Sequence, residues 1–600
     1  MKKSIIALLI SLTLLFLIPI TVATQGNMKL LAVKETEDGY EGSVADLFLE
    51  IKQGSGRVFL DTYPLIKLDT QISTRFGKQI ACDFLDISCD KSDFIYTITA
   101  DTSIIGGPSA GASITVLTVA LLSNIPIDKH TTVTGTINSG GLIGPIGGLK
   151  EKIDAGAKGG LKKILIPKGE RYLKQENNTT DLVEYGKQYG VEIIEVSNIA
   201  DAIYHFSGIR LKELDGNLKI DKEYANTMKR VASDLCTNSE SLKKSLKNIS
   251  NESSRDYEEA IKLKEKADKA FALDQYYTSA SYCFGSNVKY SYINLLEKNL
   301  SKMQLIETIN KIKAEVKDHT ENIRAGEIRT ITDLESYMVV KERLVEAEES
   351  LEQAWKSVNN SKASASNIAY AAERLKSAES WSLFFDNRGR EFKINNDLIK
   401  KSCTEKLGEA EERFQYMAIF FPTSLTASLT STKKEIDYAK KYFEEKDYPL
   451  CLFKANKAKA SVDVVLSIIG VEESNIKNVI AEKLEAVKKN IVKEENKHIF
   501  PIIGYSYYEY ANNLQDDDKF SALLYSEYAL ELSILDLYFE QKKSAIDWQI
   551  ALQINQLKSR APIFIAFSSG LLVGILSFWL VNRRKKEKRK LVINVHRGKK

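Results

Sequence analysis

Apolar and polar positions follow two different rhythms along this chain, and the change of rhythm divides it. From about Met28 to Gly208, short β-branched and aromatic runs alternate with helical stretches. "KLLAVKE", "SVADLFLEIKQGSGRVFLDT" and "DFIYTITA" have the alternation of strands. "PSAGASITVLTVALLSN" (108–124) is helical in length and apolar on most sides, which predicts a buried helix. "TTVTGTI" and "GGLIGPIGG" read as strands and turns, and "LKEKIDAGAKGG" as a helix ended by Gly159 and Gly160. "KKILIP", a polar helical stretch, "VEIIEV" and "IADAIYHF" complete a β-α-β-α succession, the pattern of one α/β domain.

From Leu211 glycine nearly vanishes, and Ala, Lys, Glu, Tyr and Leu dominate. Segments 256–298, 344–381, 435–469 and 506–539 each read as helix, turn, helix. The turns lie near Asp or Asn with an aromatic, and the second helices are rich in Ala and Tyr. Small residues at i, i+3 and i+4 let such helices approach closely. This is the grammar of tetratricopeptide-like helical hairpins without a strict period, and a generic helical bundle fits it as well. Either form is an interaction or spacer region, in which no catalytic cluster is visible.

Both ends are apolar. Met1-Lys2-Lys3, a run from Ile5 to Val22 and small residues make residues 1–24 a signal peptide or an N-terminal anchor. "APIFIAFSSGLLVGILSFWLV" (561–581) is uncharged and long enough to cross a bilayer, so a C-terminal transmembrane helix is expected there. "NRRKKEKRK" follows it, and the positive-inside rule assigns residues 582–600 to a basic cytoplasmic tail. The expected localisation is the cell membrane, with one C-terminal span and the bulk on the extracytoplasmic side.

Lys+Arg 84 against Asp+Glu 80 leaves a net charge of +4, too balanced for a nucleic-acid partner. The six cysteines are even in number, as disulfides in an exported segment require. Proximity in the chain suggests Cys82 with Cys89, Cys236 with Cys283 and Cys403 with Cys451, and free buried cysteines are the alternative. No CxxC and no pairing of histidines suggests zinc, so neither a metal nor a cofactor is implied.

"GGPSAGASITV" (106–116) places Ser109 at the mouth of the buried helix. No GxxxxGK[ST] phosphate loop, GxGxxG turn or GxSxG elbow occurs in the chain. The α/β domain offers only His130 and His205 as triad bases, and both read as surface or packing residues. A lysine serves instead if burial keeps it neutral. In "GGLKEKIDAGAKGG" Lys150 shares a helical face with Asp154, which reads as a solvated ion pair. Lys152 shares its side with Ala155, Gly156 and Gly159, a stripe that invites another backbone close against it. Pro108 suits a first helical turn, Gly106 and Gly107 permit an unusual approach, and free N–H groups there would hold an oxyanion. An ordinary helix-start serine remains the other reading of Ser109.

"GGPSAGASITVLTVALLS", "TVTGTI" and "GPIGGLKEKIDAGAKGGLKKILIP" resemble the proteolytic domain of Lon proteases. The resemblance covers about residues 28–208 and implies that domain's α/β fold, with Ser109 and Lys152 as a Ser-Lys dyad and Thr134 supporting the lysine amine. "LDTQISTRFGKQIACDFLDI" also resembles membrane-associated archaeal relatives. Gly106-Gly107 stands where typical bacterial members have Asp-Gly, and Thr136 where they have an acid. The usual ATP-driven ring has no counterpart in this sequence. The expected fold is therefore a Lon-type α/β proteolytic domain (28–208), an all-α helical-hairpin region (211–558) and a C-terminal transmembrane helix. The expected function is an ATP-independent, membrane-anchored serine endopeptidase. It would act on unfolded or flexible polypeptides, and the family's rings imply a homo-oligomer. The alternative is a catalytically degenerate domain serving as a membrane-tethered protein-binding module.

Overall fold

The computed structural model describes residues 24–535 apart from 37–38, 64, 101–106, 176–177, 212–216, 248, 325–327, 388–390, 392–394, 421–425, 469–470 and 472, with scattered positions from 543 to 585. The α/β elements run in the order β1 (Thr24–Thr36), β2 (Gly39–Gln53), β3 (Val58–Tyr63), α1 (Leu68–Phe84), β4 (Ile87–Ser88), β5 (Ser92–Ala100), α2 (Gly111–Leu122), β6 (Thr131–Val133), β7 (Thr136–Asn138), β8 (Leu142–Gly144), α3 (Leu149–Lys158), β9 (Lys163–Pro167), β10 (Tyr172–Gln175), β11 (Asn178–Asp181), α4 (Leu182–Gln188), β12 (Glu192–Val196) and α5 (Ile199–Ser207). One sheet has the order β1-β2-β5-β3, antiparallel except for the parallel β5–β3 pair. A second, parallel sheet has the order β12-β9-β6.

Alternation on β2 and β5 sends Leu47, Leu49, Ile51, Phe94, Tyr96 and Ile98 to the buried face. All of α2 is buried, as its all-round apolar sequence predicts. Hydroxyls along α2 are satisfied locally: Tyr96 and Thr118 share a hydroxyl hydrogen bond of 2.8 Å, and Thr115 and Thr118 donate to carbonyls one turn back. A smaller core lies between α3, β9, β12 and α4, built from Leu31, Ile153, Ile164, Leu182 and Ile193.

The rest is helical: α6 (Lys222–Ser245), α7 (Ser254–Ala272), α8 (Tyr276–Glu297), α9 (Lys302–Arg324), α10 (Ile331–Lys356), α11 (Ser361–Trp381), α12 (Asn396–Phe420), α13 (Thr426–Glu444), α14 (Tyr448–Ile468), α15 (Ile476–Glu495), α16 (Ile502–Leu514) and α17 (Lys519–Leu532). The pairs α7–α8, α10–α11, α13–α14 and α16–α17 pack as hairpins. Their turns use the expected residues. Asp274 and Lys446 take left-handed φ of 59° and 62°, and the Asn360 and Asp518 side chains cap the following helices. Hairpin helices of 19 and 22, 26 and 21, and 13 and 14 residues show why no period is readable. The cysteines form Cys82–Cys89, Cys236–Cys283 and Cys403–Cys451, the pairs suggested by proximity.

The helical region is seated on the α/β domain. Arg75 on α1 pairs with Glu412 on α12 at 3.5 Å, and Arg413 lies over the Phe76 ring at 4.5 Å. Lys483 on α15 and Glu527 on α17 form a fully buried ion pair. Ser139, in the turn between β7 and β8, donates to that carboxylate at 2.7 Å. Beyond α17 the chain returns to the α/β domain: β13 (Lys543–Ser544) pairs with β4 in parallel, Ala545 is buried in its core and Trp548 packs against it. Gln549 Nε2 then donates to Thr24 Oγ1 at 3.3 Å, bringing residue 549 beside the start of β1.

The expected C-terminal transmembrane helix is corrected. Among the described residues no helix is long and apolar enough to cross a membrane. Of 561–581 only Gly574, Ser577, Trp579, Leu580 and Val581 are described. The rest of that segment lies outside the described residues, as do residues 1–23 of the N-terminal apolar stretch and most of the basic tail.

Candidate active site

Ser109 is held at the start of α2 by a short 3-10 turn, Pro108–Ala110. Gly107 before it has φ 106° and ψ 149°, which a residue with a Cβ adopts only under strain. Ser109 itself is half-buried, while Ala110, Gly111 and Ala112 behind it are buried. Smallness there is a packing requirement, since a Cβ on Gly111 would lie 2.9 Å from Ile137 Cγ2.

Two backbone hydrogen bonds tie this turn to the segment after β6. Gly135 N–H donates to the Ser109 carbonyl at 3.1 Å, and Ala112 N–H donates to the Gly135 carbonyl at 3.1 Å. Ser113 Oγ donates to the Val133 carbonyl. Thr134 therefore sits next to the residue bonded to Ser109. Its own N–H donates to Leu165 of β9 at 3.0 Å. Its side chain is 1% exposed, and Oγ1 has no hydrogen-bond partner among the described residues.

Lys152 lies on the buried face of α3 with Leu149, Ile153, Ala155 and Gly156, and is 2% exposed. β2 approaches this helix closely at Gly42, where a Cβ would fall 1.9 Å from the Glu151 carbonyl oxygen and 3.0 Å from Ala155 Cβ, while Gly156 faces the side chains of Ile164, Leu161 and Leu31. Burial pushes the Lys152 ammonium down from 10.5 to about 8, opposed by the Glu151 carboxylate. Lys150 behaves differently from the expected ion pair. Its ammonium lies 5.3 Å from the Tyr185 ring centroid, and Asp154 accepts a 2.6 Å hydrogen bond from the Tyr185 hydroxyl.

Both α3 and the Ser109 turn pack against β1. Among the described residues no hydrogen bond joins Ser109 Oγ to Lys152 Nζ. The histidines stay apart from this chemistry: His130 is exposed, with Nδ1 3.3 Å from the Gly160 carbonyl, and the His205 ring lies against Tyr204.

Sequence reasoning missed two residues. Asp69 and Thr70, in the first turn of α1, bond to Gly107 from 38 and 37 positions away. The one local signal was an acid in a helix's first turn, and nothing in the spacing linked it to the serine.

Known proteins similar to this chain match it within the α/β region. The family model of the Lon protease (S16) C-terminal proteolytic domain matches residues 97–206, from β5 to the end of α5. The chain is 37% identical over 118 residues to the Lon protease of Rhizobium meliloti (strain 1021), covering 19% of this chain and 14% of that protein. It is 42% identical over 101 residues to the Lon protease of Azospirillum brasilense, covering 16% and 12%. With the Lon protease of Rickettsia felis (strain ATCC VR-1525 / URRWXCal2) it shares 40% over 101 residues, again 16% and 12%. The chain thus spans no more than 14% of the length of these relatives. The N-terminal α/β region thus carries a Lon-type proteolytic domain, and an all-helical region outside the matched residues follows it.

Proposed function

We propose that this chain is a serine-type endopeptidase in which Ser109 is the nucleophile and Lys152 the general base. The observation that carries the reading is the buried Lys152, lowered to about 8, on a helix packed against the strand that also contacts the Ser109 turn. A neutral amine takes the Ser109 proton as Oγ attacks the scissile carbonyl, and returns it to the leaving amine. The Ser109 N–H has no acceptor among the described residues, and serves as a donor to the oxyanion. The resemblance implies that Thr134, whose buried Oγ1 has no partner among the described residues, supports the Lys152 amine.

No phosphate-loop pattern occurs in these 600 residues, so the proposed hydrolysis uses no nucleotide bound by this chain. Its substrates are polypeptides already unfolded or flexible enough to enter unaided. Three disulfides support placing the bulk of the chain in an oxidising compartment outside the cytoplasm. A homo-oligomer is the assembly that the resemblance implies, and sedimentation of the purified chain would test it.

The decisive measurement compares the chain with its Ser109→Ala and Lys152→Ala variants on an unfolded polypeptide, alongside labelling by a fluorophosphonate. Loss of turnover in both variants and of labelling in the first is the expected result. Equal activity in all three would overturn the assignment. Capture of polypeptides with neither turnover nor labelling would identify a binding module instead.

A further inference from the structure

The turn that presents Ser109 is gripped from the side by α1. Gly107 N–H donates to Asp69 Oδ2 at 2.9 Å. Thr70 Oγ1 lies 3.3 Å from both the Gly107 carbonyl and Asp69 Oδ1, which share its proton. Asp69 Oδ1 also accepts the Thr70 N–H at 2.7 Å. Both polar groups of Gly107 are therefore engaged, at the one residue of the turn with φ of 106°. Glycine has the widest backbone freedom of any residue, so without a restraint this conformation is one of many. A carboxylate is the stronger kind of acceptor for that restraint, because its charge assists the bond.

The clamp has a chemical consequence. Because the Gly107 N–H is held by Asp69, it is not available to an oxyanion. Pro108 has no N–H, so the Ser109 N–H is the next donor in the turn, and it has no acceptor among the described residues. The orientation of that N–H and of Ser109 Oγ follows from the Gly107 and Pro108 dihedrals. The grip is itself buttressed: Thr70 is fully buried and Thr74 Oγ1 donates back to its carbonyl at 2.8 Å. The helical region reaches the same place. Tyr416 on α12 is held above its usual range by burial and then by the Asp69 charge.

Resting on the peptidase reading above, we infer that Asp69 is a positioning residue for Ser109, holding Gly107 so that the serine hydroxyl and its N–H face the scissile carbonyl. It touches neither substrate nor the reacting atoms. Its loss should lower kcat and leave KM nearly unchanged, because substrate would still bind a site whose nucleophile is poorly aimed. Misplacement on the order of 1 Å in such sites costs roughly a hundredfold in rate.

The test uses the full chain with Asp69→Ala, Asp69→Asn, Ser109→Ala and Lys152→Ala, reading kcat, KM, melting temperature and hydrogen exchange of the peptide containing Gly107 and Ser109. Asp69→Ala is expected to reduce kcat roughly ten- to a hundredfold with KM within about twofold, and to speed exchange in that peptide. Asp69→Asn keeps an oxygen acceptor and should restore most of the rate. If Asp69→Ala matches the unaltered chain in kcat and exchange while Ser109→Ala and Lys152→Ala are inactive, the positioning role alone is overturned. Equal losses of rate and melting temperature in Asp69→Ala and Asp69→Asn would also overturn it, as a purely structural role. Full activity in Ser109→Ala would overturn the peptidase reading and this inference with it.

Discussion

Gly135 N–H donates to the carbonyl of Ser109 at 3.1 Å, so the residue after Thr134 is bonded directly to the candidate nucleophile. The Gly135 carbonyl accepts in turn from Ala112, and the two bonds fasten the first turn of α2 to the strand edge. A serine at an ordinary helix start has no need of such a tether. Here the tether fixes the height of Ser109 relative to Thr134, and the Ser109 turn and the helix of Lys152 both contact β1.

Thr134→Val is expected to separate stability from activity. The buried Oγ1 has no partner among the described residues, and an unpaired buried hydroxyl costs roughly 1–3 kcal/mol. Valine has nearly the same shape and no such group, so the melting temperature should hold or rise. If the hydroxyl supports the Lys152 amine during turnover, kcat should fall about tenfold, the worth of one hydrogen bond. Thermal melts and steady-state kinetics on the same sample check both halves.

The rate should rise with pH through about 8. Lys152 must be neutral to accept the Ser109 proton, and burial lowers it from 10.5 to about 8. At two pH units below that value only ~1% of the amine is neutral, so kcat/KM should be roughly a hundredfold below its plateau. Glu151 opposes the lowering, so Glu151→Gln should move the acid limb to lower pH. A profile flat between pH 6 and 9 would exclude Lys152 as the base.

The same burial makes Lys152 a destabilising residue. A fall from 10.5 to about 8 corresponds to a cost on the order of 3 kcal/mol for the charged ammonium in the fold. Below pH 8 both folded and unfolded chains hold the proton, and the full cost is present. Between 8 and 10.5 the unfolded chain holds more protons, so the stability of the unaltered chain climbs with pH. Lys152→Met should therefore abolish turnover and raise stability at pH 7. Its advantage should shrink as pH rises toward 10.5, as denaturant titrations at several pH values would reveal.

How far the sequence carries depends on range. The buried α2 was legible because its residues are apolar in every direction, and the burial of Lys152 because Ala155 and Gly156 mark the small, inward side of its helix. The hairpin turns were legible at Asp274, Asn360 and Asp518, where turn and cap chemistry is local. Relationships across long separations were not. Asp69 bonds to Gly107 through no local pattern, and Ser139 meets Glu527 from 388 positions away. The uncharged run at 561–581 shows the opposite failure: hydropathy alone suggested a span, and the described residues contain no helix that fits one.

Reduction should loosen the helical region first. Cys236–Cys283 joins α6 to α8 and Cys403–Cys451 joins α12 to α14, with separations of 47 and 48 residues. Loops of that length are worth about 4 kcal/mol each through the unfolded chain, against about 2 for the seven-residue separation of Cys82–Cys89. Thiol titration of the denatured chain should find no free cysteine before reduction and six after it. Far-ultraviolet helicity should then be lost at a lower temperature in the reduced chain.

The seat of the helical region on the α/β domain should prove dependent on a matched pair of charges. Lys483 and Glu527 are both fully buried, and Ser139 is bonded to each, at 3.3 Å from the ammonium and 2.7 Å from the carboxylate. Burial raises the Glu527 carboxyl, opposed by the ammonium beside it, so the pair holds its charge only while both partners are present. Lys483→Met leaves a buried carboxylate with one hydroxyl donor, and Glu527→Leu leaves a buried ammonium. Each single change is expected to cost about 3–5 kcal/mol, whereas Lys483→Met with Glu527→Leu should come close to the unaltered chain. Denaturant titration of the four proteins gives the coupling energy directly. Ser139 lies one residue beyond β7, whose first residue, Thr136, directly follows the Gly135 that is bonded to Ser109. The single variants should therefore lose peptidase rate as well as stability, and the double variant should recover both. Additive losses would mean that the two side chains stabilise the seat separately, and that the ion pair does not join the helical region to the site.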